Sequence, residues 1–474
     1  MRHGELARFY TQRPEWTPAE EESLAGLEVA TVEVPLDYRE PGRATIDVSM
    51  ARRAATDPAR RLGVLFVAPD DPGNRGMVLI PQLVPELPEE VLARFDLVAF
   101  DHRFSGASSP IECDFTPEER MWVFHAPESF DAEVRFQSTV AAKVAEAALD
   151  LLPYASTRNV ARDLDVLRAV LGEEKVSYLG YSYGTYLGAV YAQLFGAHTD
   201  RMVLDSVLSP DWVWRGLFFN VAASVEASLL RWARWAAARD DDLHLGTTSQ
   251  AVRARYDDLL ARVRREPAMV PGIPLPLDPF SLRLCTVVFL TYDSTYPLLG
   301  DLVRAATHGG PVDRRTPGTL MTLLAQRSES TPAGQLALLC GEWSWPRRLD
   351  TYENDMRALG AEYPFIGATL GGVKAGAFWP TSPVEPVTRI GPDNPAESIL
   401  LVQSEDDIFT QSTGANRLRE LLPHNTRLVL AADTAHHRMF PFGGNATVNE
   451  VVTGYLLTGR LPGADITCKR VLDG

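Results

Sequence analysis

The chain has 474 residues, of which 45% are hydrophobic and 23% are charged, as in ordinary globular proteins, so a mostly disordered chain is excluded. At about 150 residues per domain, this length predicts two to three domains, or one large domain with an insertion. Lys and Arg total 46 against 62 Asp and Glu, a formal net charge of −16. We therefore expect neither nucleic acid nor an anionic membrane as the main partner.

The four cysteines, Cys113, Cys285, Cys340 and Cys468, lie far apart and form no CxxC pair or cysteine–histidine cluster. No metal site, thioredoxin-like motif or other cofactor is therefore expected. The N-terminal sequence lacks the apolar segment of a secretion signal, and no run approaches about 18 apolar residues. We expect a cytoplasmic protein with reduced cysteines and no membrane span. The sequence leaves the oligomeric state open.

The first part of the chain predicts an arm followed by strands. Residues 1–28 are polar and charged and are interpreted as an N-terminal arm. Alternating apolar and polar residues at 29–34 and 45–50 flank a turn and predict an antiparallel hairpin. Nearly continuous apolar runs at 63–68 and 95–100 indicate strands covered on both faces, as in a parallel sheet.

Helices then alternate with strands. Apolar residues on one face predict a helix over 157–171 with Thr157 as its N-cap. A strand at 176–179, a helix at 183–195 and a strand at 202–205 follow. This alternation predicts an α/β fold with a mostly parallel, doubly wound sheet.

The alternation stops near residue 212 and resumes with apolar runs at 399–403 and 427–431. The chain between them has a helical and irregular pattern and contains most of the tryptophans. We interpret it as a large, mainly helical cap inserted into the sheet domain. The predicted division is a cap domain at 213–394 and a catalytic core at 29–212 and 395–474.

A candidate nucleophile lies in the motif Gly180-Tyr181-Ser182-Tyr183-Gly184, a G-x-S-x-G between a predicted strand and a predicted helix. This context is typical of the strained nucleophile elbow, in which side chains at either glycine would collide with the neighbouring strand and helix. The sequence therefore predicts Ser182 as a nucleophile. The alternative is an ordinary glycine-rich turn.

A serine hydroxyl needs a positioned base to accept its proton. In folds with such an elbow, the acid and the histidine follow the serine in chain order, each in a loop after a later strand. The order Ser182, Asp407, His436 fits this pattern. Spacing leaves the neighbouring Asp406 and His437 open as alternatives.

Several stretches resemble one known family: VPLDY at 34–38, DHRFSGASSP at 101–110, YLGYSYGTYLG at 178–188 and CGEWSWPR at 340–347. They are similar to stretches of the secreted tripeptidyl aminopeptidases of actinomycetes and the related proline iminopeptidases, which are serine peptidases of the α/β-hydrolase fold. The resemblance runs nearly end to end, and it implies that fold with a large helical cap.

The resemblance also implies which residues act. The family's acid, in a stretch like Q-G-E-L-D-P-V-T-P, falls on Asp407, and its histidine, in G-A-G-H-G, falls on His436. The oxyanion-hole donors would be the N–H of Tyr183, which follows the nucleophile, and that of Asp71 in the loop after the first long core strand.

That loop departs from the family, which has G-G-P-G-G-S-G where this chain has Asp70-Asp71-Pro72-Gly73-Asn74-Arg75-Gly76. A carboxylate about 5 Å from an oxyanion repels it by about 3 kcal/mol at an effective dielectric of 20. This is comparable to the roughly 2.7–4 kcal/mol that one donor supplies. Asp71 is therefore expected to obstruct the hole, to point away, or to donate a hydrogen bond in its protonated form. Phe104 and His437 also stand where the family has glycines.

In the family, a cap carboxylate binds the free α-amine of the peptide, and this role falls on Glu342, beside Trp343 in an apolar substrate pocket. The alternative for Glu342 is a surface or helix-capping glutamate. The expected function is a serine hydrolase that releases N-terminal residues or short peptides through an acyl-enzyme. The alternatives are an esterase, acyltransferase or lyase of small-molecule biosynthesis with an altered oxyanion loop, and a non-catalytic binding protein.

Overall fold

One sheet organises the residues that the computed structural model describes, which are 2–125, 129–273, 276–328 and 331–469. Within these ranges ten strands pair in the order β1-β2-β3-β5-β4-β6-β7-β8-β9-β10. Their bounds are β1 Thr17–Pro18, β2 Glu28–Pro35, β3 Thr45–Arg53, β4 Gly63–Ala68, β5 Phe95–Phe100, β6 Val176–Tyr181, β7 Thr199–Asp205, β8 Ile399–Ser404, β9 Thr426–Ala432 and β10 Ile466–Lys469.

The helices of the described chain are α1 Arg2–Tyr10, α2 Leu79–Leu83, α3 Glu89–Arg94, α4 Phe130–Ala148, α5 Thr157–Val170, α6 Tyr183–Phe195, α7 Arg215–Ala237, α8 Asp240–Leu243, α9 Ser249–Val263, α10 Pro279–Leu290, α11 Tyr296–His308, α12 Arg315–Ser328, α13 Pro332–Gly341, α14 Leu349–Glu362, α15 Gly367–Gly371, α16 Ser412–Leu421 and α17 Ala446–Thr458. None of these helices is long and apolar enough to cross a membrane.

The sheet is antiparallel at one edge and parallel elsewhere. Strands β1, β2, β3 and β5 pair antiparallel, which confirms the predicted hairpin of β2 and β3, and the pairs from β5 through β10 are parallel. Neighbouring side chains of β4 enter different apolar clusters, Leu65 on one face and Phe66 on the other. Because both faces are covered, the parallel strands are the nearly continuous apolar runs seen in the sequence.

The helix predicted to follow residue 156 begins where it was expected, but its cap is one residue earlier. The Ser156 side chain accepts a hydrogen bond from the N–H of Asn159, so Ser156 is the N-cap and Thr157 is the first helical residue. Thr157 was therefore the wrong cap. The helix α6, by contrast, covers the predicted residues.

Helices α7–α15 lie between β7 and β8, where the sequence predicted an insertion. The bounds of the cap at 213–394 and of the core remain predictions. Residues 1–28, interpreted as an arm, contain α1 and also β1, which extends the sheet beside β2. Cys113, Cys285, Cys340 and Cys468 are all free thiols.

Candidate active site

Ser182 occupies a strained turn between β6 and α6. Its backbone has φ 49° and ψ −110°, a left-handed region that costs a residue with a side chain about 1–3 kcal/mol. The flanking glycines are required by space. A Cβ on Gly180 would lie 2.5 Å from the carbonyl oxygen of Gly184, and one on Gly184 would lie 2.9 Å from that of Ala68. The turn thus has the geometry of a nucleophile elbow.

Asp407 lies in the loop after β8 and is 1% exposed. Its Oδ1 accepts hydrogen bonds from the N–H groups of Phe409 and Thr410, at 2.8 and 3.0 Å, and its Oδ2 accepts one from the Thr410 hydroxyl. The neighbouring Asp406 instead forms an ion pair with Arg231 of α7 at 2.6 Å. Of the two aspartates, the one bound to a histidine is Asp407.

That histidine is His437. Its Nδ1 donates to Oδ2 of Asp407 at 2.8 Å, and its side chain lines the same cavity as Ser182. The structure therefore brings His437, and not the predicted His436, to Asp407 and to the cavity. The Nδ1–H of His436 donates to the carbonyl oxygen of His437 at 2.8 Å, and its ring packs against Tyr292 with the centroids 4.7 Å apart. These two contacts hold the His436 side chain in the loop.

The pKa values of His436 and His437 are shifted in opposite directions. Burial lowers the pKa of His437, but the Asp407 carboxylate outweighs it, so the pKa lies above the ordinary value of 6.5. Burial would also raise the pKa of Asp407, and the charge and hydrogen bond of His437 reverse that effect. For His436, burial prevails and lowers the pKa to about 4.

A buried carboxylate holds the turn and the histidine loop together. Asp205, the last residue of β7, accepts the N–H groups of Met439 and Phe440 on its carboxylate, at 3.0 and 2.6 Å. Its backbone carbonyl accepts the N–H of Ser182 at 3.2 Å. Burial raises the pKa of Asp205 to about 6. Asp205 thereby binds both the turn that carries Ser182 and the loop that carries His437.

The N–H groups of Tyr183 and Asp71, which were predicted to form the oxyanion hole, do not point to a common site. The N–H of Tyr183 donates to the carbonyl oxygen of Asp70 at 3.3 Å. That carbonyl and the N–H of Asp71 belong to one planar peptide group and point in opposite directions. The Asp71 N–H is therefore directed away from that of Tyr183, and the hole expected from these two groups is not assembled in this conformation.

The loop aspartates differ in their surroundings. Burial opposes ionisation of Asp70, but the charges of Arg438 and His437 outweigh it, and the pKa of Asp70 lies below its usual value. Asp71 contacts the helix α13, where Nε2 of Gln335 donates to both carboxylate oxygens at 2.8 and 2.7 Å. Both aspartates line the cavity beside Ser182.

The cavity has a volume of about 240 Å³ and is lined by both polar and apolar residues. The polar lining residues are Asp70, Asp71, Asn74, Arg120, Ser182, Gln335 and His437. The other lining residues are Pro72, Met121, Val123, Phe124, Tyr183, Leu208, Trp214, Leu217, Phe218, Val221, Leu339, Leu370 and Phe409. Within the described ranges, no group of three or more His, Cys, Asp or Glu side chains could hold a metal ion.

Glu342 and Trp343, the predicted substrate-binding pair, do not line this cavity. Glu342 is 2% exposed, and its carboxylate accepts the N–H of Thr157 at 2.6 Å and the Tyr186 hydroxyl at 3.1 Å. It therefore caps the N-terminus of α5, as in the alternative interpretation. Trp343 is 54% exposed. The structure thus does not bring Glu342 or Trp343 to the cavity that Ser182 lines.

Two family models match parts of this chain. Residues 72–282 match a family model described as "alpha/beta hydrolase fold", and residues 363–468 match one described as "TAP-like protein". The chain is 32% identical to a tripeptidyl aminopeptidase of Streptomyces lividans over 461 residues, covering 93% of this chain and 83% of that protein. The chain belongs to the tripeptidyl aminopeptidase family of α/β-hydrolases.

The chain is also similar to proteins with other names. The chain is 26% identical to the serine protease Hip1 of Mycobacterium tuberculosis, over 96% of this chain and 91% of that protein. It is 25% identical to a carboxylesterase B of the same organism, over 93% of this chain and 86% of that protein. A solved proline iminopeptidase of Mycobacterium smegmatis has a TM-score of 0.43 and 15% identity, over 91% of this chain and all of the other. The predicted fold, family and enzyme class are confirmed.

Sequence reasoning missed three residues of this α/β-hydrolase. His437 was considered and not chosen, because the family pattern places the histidine directly after a small residue. Gln335 and Trp214 line the cavity from the segment between β7 and β8, and no motif marks them. A polar residue on the otherwise apolar helix α13 was the available signal for Gln335.

Proposed function

We propose that this protein is a serine hydrolase that cleaves peptides from a free N-terminus, releasing N-terminal residues or short peptides through an acyl-enzyme on Ser182. The observation that carries the proposal is the cavity that Ser182 and His437 line together, with His437 hydrogen-bonded to Asp407. A nucleophile, a base and a group that orients the base are the elements of a catalytic triad.

In this mechanism Ser182 Oγ attacks the scissile carbonyl carbon while Nε2 of His437 accepts its proton. Asp407 keeps Nδ1 of His437 protonated and stabilises the imidazolium. The carbon–nitrogen bond then breaks as His437 gives the proton to the leaving amine. A water molecule, deprotonated by His437, attacks the ester carbon and releases the acid and the serine.

The oxyanion requires a change in the loop. We propose that substrate binding rotates the peptide group between Asp70 and Asp71, which frees the N–H of Tyr183 and turns the N–H of Asp71 inward. The bond to be broken, from Tyr183 N–H to the Asp70 carbonyl, is long at 3.3 Å. Each donor so gained is worth roughly 2.7–4 kcal/mol in the transition state.

Peptide cleavage is favoured by the relatives named as a tripeptidyl aminopeptidase and a serine protease. Ester hydrolysis is the second candidate. It is favoured by the burial of Glu342 outside the cavity, since the carboxylate expected to bind an α-amine is not available there, and by the relative named carboxylesterase B.

A fluorophosphonate probe tests the nucleophile. We expect it to label the wild type at Ser182 and to leave Ser182→Ala unlabelled. The control variant Ser344→Ala, changed at an exposed serine, is expected to be labelled as strongly as the wild type. Labelling that survives in Ser182→Ala would refute the assignment. Leucine p-nitroanilide and p-nitrophenyl butyrate then separate the two candidates: cleavage of the anilide supports the peptidase, and cleavage of the ester alone supports the esterase.

A further inference from the structure

Three residues with left-handed backbones lie beside the nucleophile and in the histidine loop, which is the segment 433–445 between β9 and α17. They are Ser182, with φ 49°, Ser206, with φ 61°, and Arg438, with φ 63°. This conformation is unfavourable for a residue with a side chain, and it persists only where surrounding contacts enforce it. At this junction the contacts centre on Asp205, the last residue of β7.

Three consecutive peptide N–H groups of the histidine loop depend on the Asp205 carboxylate. Its Oδ1 accepts the N–H of Met439 at 3.0 Å, and its Oδ2 accepts that of Phe440 at 2.6 Å. The N–H of Arg438 donates to Ser206 Oγ at 2.8 Å, and the Ser206 hydroxyl donates to Oδ1 of Asp205 at 3.1 Å. Both the direct and the indirect bonds therefore require a side chain at Asp205 whose two oxygens are acceptors only.

Asp205 is also bonded to the chain around the nucleophile. Its carbonyl oxygen accepts the N–H of Ser182 at 3.2 Å, and it lies opposite Tyr181 in the parallel pairing of β6 and β7. The Tyr181 hydroxyl donates to the carbonyl oxygen of Phe440 at 2.7 Å. Phe440 is therefore held at its N–H by Asp205 and at its carbonyl by the residue before the nucleophile. These bonds join the histidine loop directly to the nucleophile elbow.

The Asp205 side chain is fully buried and changes its charge close to neutral pH. Burial raises its pKa to about 6, against the opposing effect of its hydrogen bonds and of the charge on His437. Tyr181 stays neutral, because burial and the Asp205 charge raise its pKa well above the usual value. The other charges that act on Tyr181 are those of Arg438 and Asp70. Asp205 therefore takes up a proton below about pH 6, whereas Tyr181 keeps its own.

We propose that Asp205 is the positioning residue of His437: its ionised carboxylate holds the backbone that follows the histidine and so keeps Nε2 of His437 directed at Ser182. This inference rests on the proposed function and deepens it by naming how the site is regulated. A protonated Asp205 presents an O–H donor to one of the N–H groups that it otherwise binds, and that bond is lost. Because a displacement of about 1 Å between reacting groups lowers a rate about 10²-fold, protonation of Asp205 lowers the activity even where His437 is neutral.

The first test is Asp205→Asn, which has the shape of the protonated side chain and likewise replaces one acceptor by a donor. Above the Asp205 pKa of about 6, we expect kcat on whichever reporter the wild type cleaves to fall about 10²-fold. We expect KM to change little, because Asp205 does not line the cavity. Fluorophosphonate labelling of Ser182 is expected to slow by the same factor as kcat. An unchanged kcat, or a loss confined to KM, overturns the proposal.

The acidic limb of the pH profile distinguishes positioning from a general structural role. The wild-type kcat/KM is expected to fall with one proton as His437 is protonated, and with a second proton below about pH 6, as Asp205 is protonated. The second step is expected to be missing in Asp205→Asn, because that side chain is already neutral. A wild-type limb that involves a single proton contradicts the proposal, and so does a two-proton limb that survives in Asp205→Asn.

Asp101→Asn is the matched control. Asp101 is also fully buried, its carboxylate accepts the N–H groups of Met77 at 3.2 Å and Ala107 at 2.8 Å, and burial raises its pKa. None of these residues belongs to the elbow or to the histidine loop. We expect Asp101→Asn to lose stability in urea denaturation while it keeps the wild-type kcat and the two-proton limb. Equal losses of kcat in Asp101→Asn and Asp205→Asn would show a structural effect and refute the positioning role.

A measurement without turnover separates this inference from the proposed function. In the Ser182→Ala background, NMR detects the Nδ1 proton of His437, which is hydrogen-bonded to Asp407 and is assigned by its loss in His437→Asn. We expect a sharp resonance with Asp205 intact and in Asp101→Asn, and exchange broadening in Asp205→Asn. A sharp resonance in Asp205→Asn overturns the inference. Absence of fluorophosphonate labelling at Ser182 in the wild type overturns the proposed function and leaves this NMR result valid.

Discussion

The assignment of His437 over His436 can be decided by one pair of substitutions, His437→Asn and His436→Asn. An asparagine places an amide N–H near the position of Nδ1 in histidine. His437→Asn can therefore still donate to Asp407, and His436→Asn can still donate to the carbonyl oxygen of His437. Both variants are expected to fold, and they differ in whether a base remains beside Ser182.

The expected effects follow from the contacts. His437→Asn removes Nε2, the atom that accepts the serine proton, and loss of a triad base lowers kcat by about 10⁴–10⁶, or about 5–8 kcal/mol. His436→Asn keeps its hydrogen bond and loses the ring contact with Tyr292. Such a contact is worth about 0.5–1.5 kcal/mol. We expect that amount to appear as a loss of stability, with kcat changed by less than about tenfold.

The assay is hydrolysis of whichever reporter the wild type cleaves, together with the rate of fluorophosphonate labelling and urea denaturation of each variant. The reasoning is supported if His437→Asn is folded and inactive while His436→Asn is active and somewhat less stable. The reverse pattern, an active His437→Asn and an inactive folded His436→Asn, would show that His436 is the base.

Two further measurements follow from the site. The wild-type kcat/KM is expected to rise with pH through a value above 6.5, because Asp407 raises the pKa of His437 and the base must be neutral. Asp70→Asn removes a second charge that raises this pKa, so its acidic limb is expected at lower pH; an unchanged limb would contradict the role of Asp70. In urea denaturation, Gly180→Ala is expected to lose about 1–3 kcal/mol or more through overpacking, since its Cβ would lie 2.5 Å from a carbonyl oxygen. Gly454→Ala in α17, with no atom within 4 Å, is expected to gain about 0.5–1 kcal/mol, and equal effects of the two changes would refute the steric account.

Much of the fold follows from local patterns. The strands β4 and β5 are covered on both faces and so appear as nearly continuous apolar runs, and the hairpin of β2 and β3 appears as alternation. The elbow at Ser182 is equally recognisable, because the motif with glycines on both sides of the serine lies within one short stretch of the chain. These features depend on residues close together in the chain, and sequence spacing describes them well.

The choice between Asp406 and Asp407, or between His436 and His437, could not be made from local patterns. Adjacent residues have almost the same spacing from the preceding strand, and they differ in the direction in which their side chains point. His437 lines the same cavity as Ser182, and the loop that carries it is anchored through Met439 and Phe440 to Asp205, more than two hundred residues earlier. Asp406 is directed away because Arg231 of α7 binds it. Neither Asp205 nor Arg231 can be identified as a partner from the sequence of the loop or of the strand before it.

The sequence alone therefore determined the sheet, the helical segment between β7 and β8, the strained turn at Ser182 and the family, since each depends on local periodicity or on a motif. The tertiary structure decided which histidine meets Asp407, that Glu342 caps α5, and that Asp71 reaches the cavity under Gln335. The physical reason is that a carboxylate or an imidazole acts through the atoms that lie within about 3 Å of it. In this protein those atoms come from segments that are far apart in the chain.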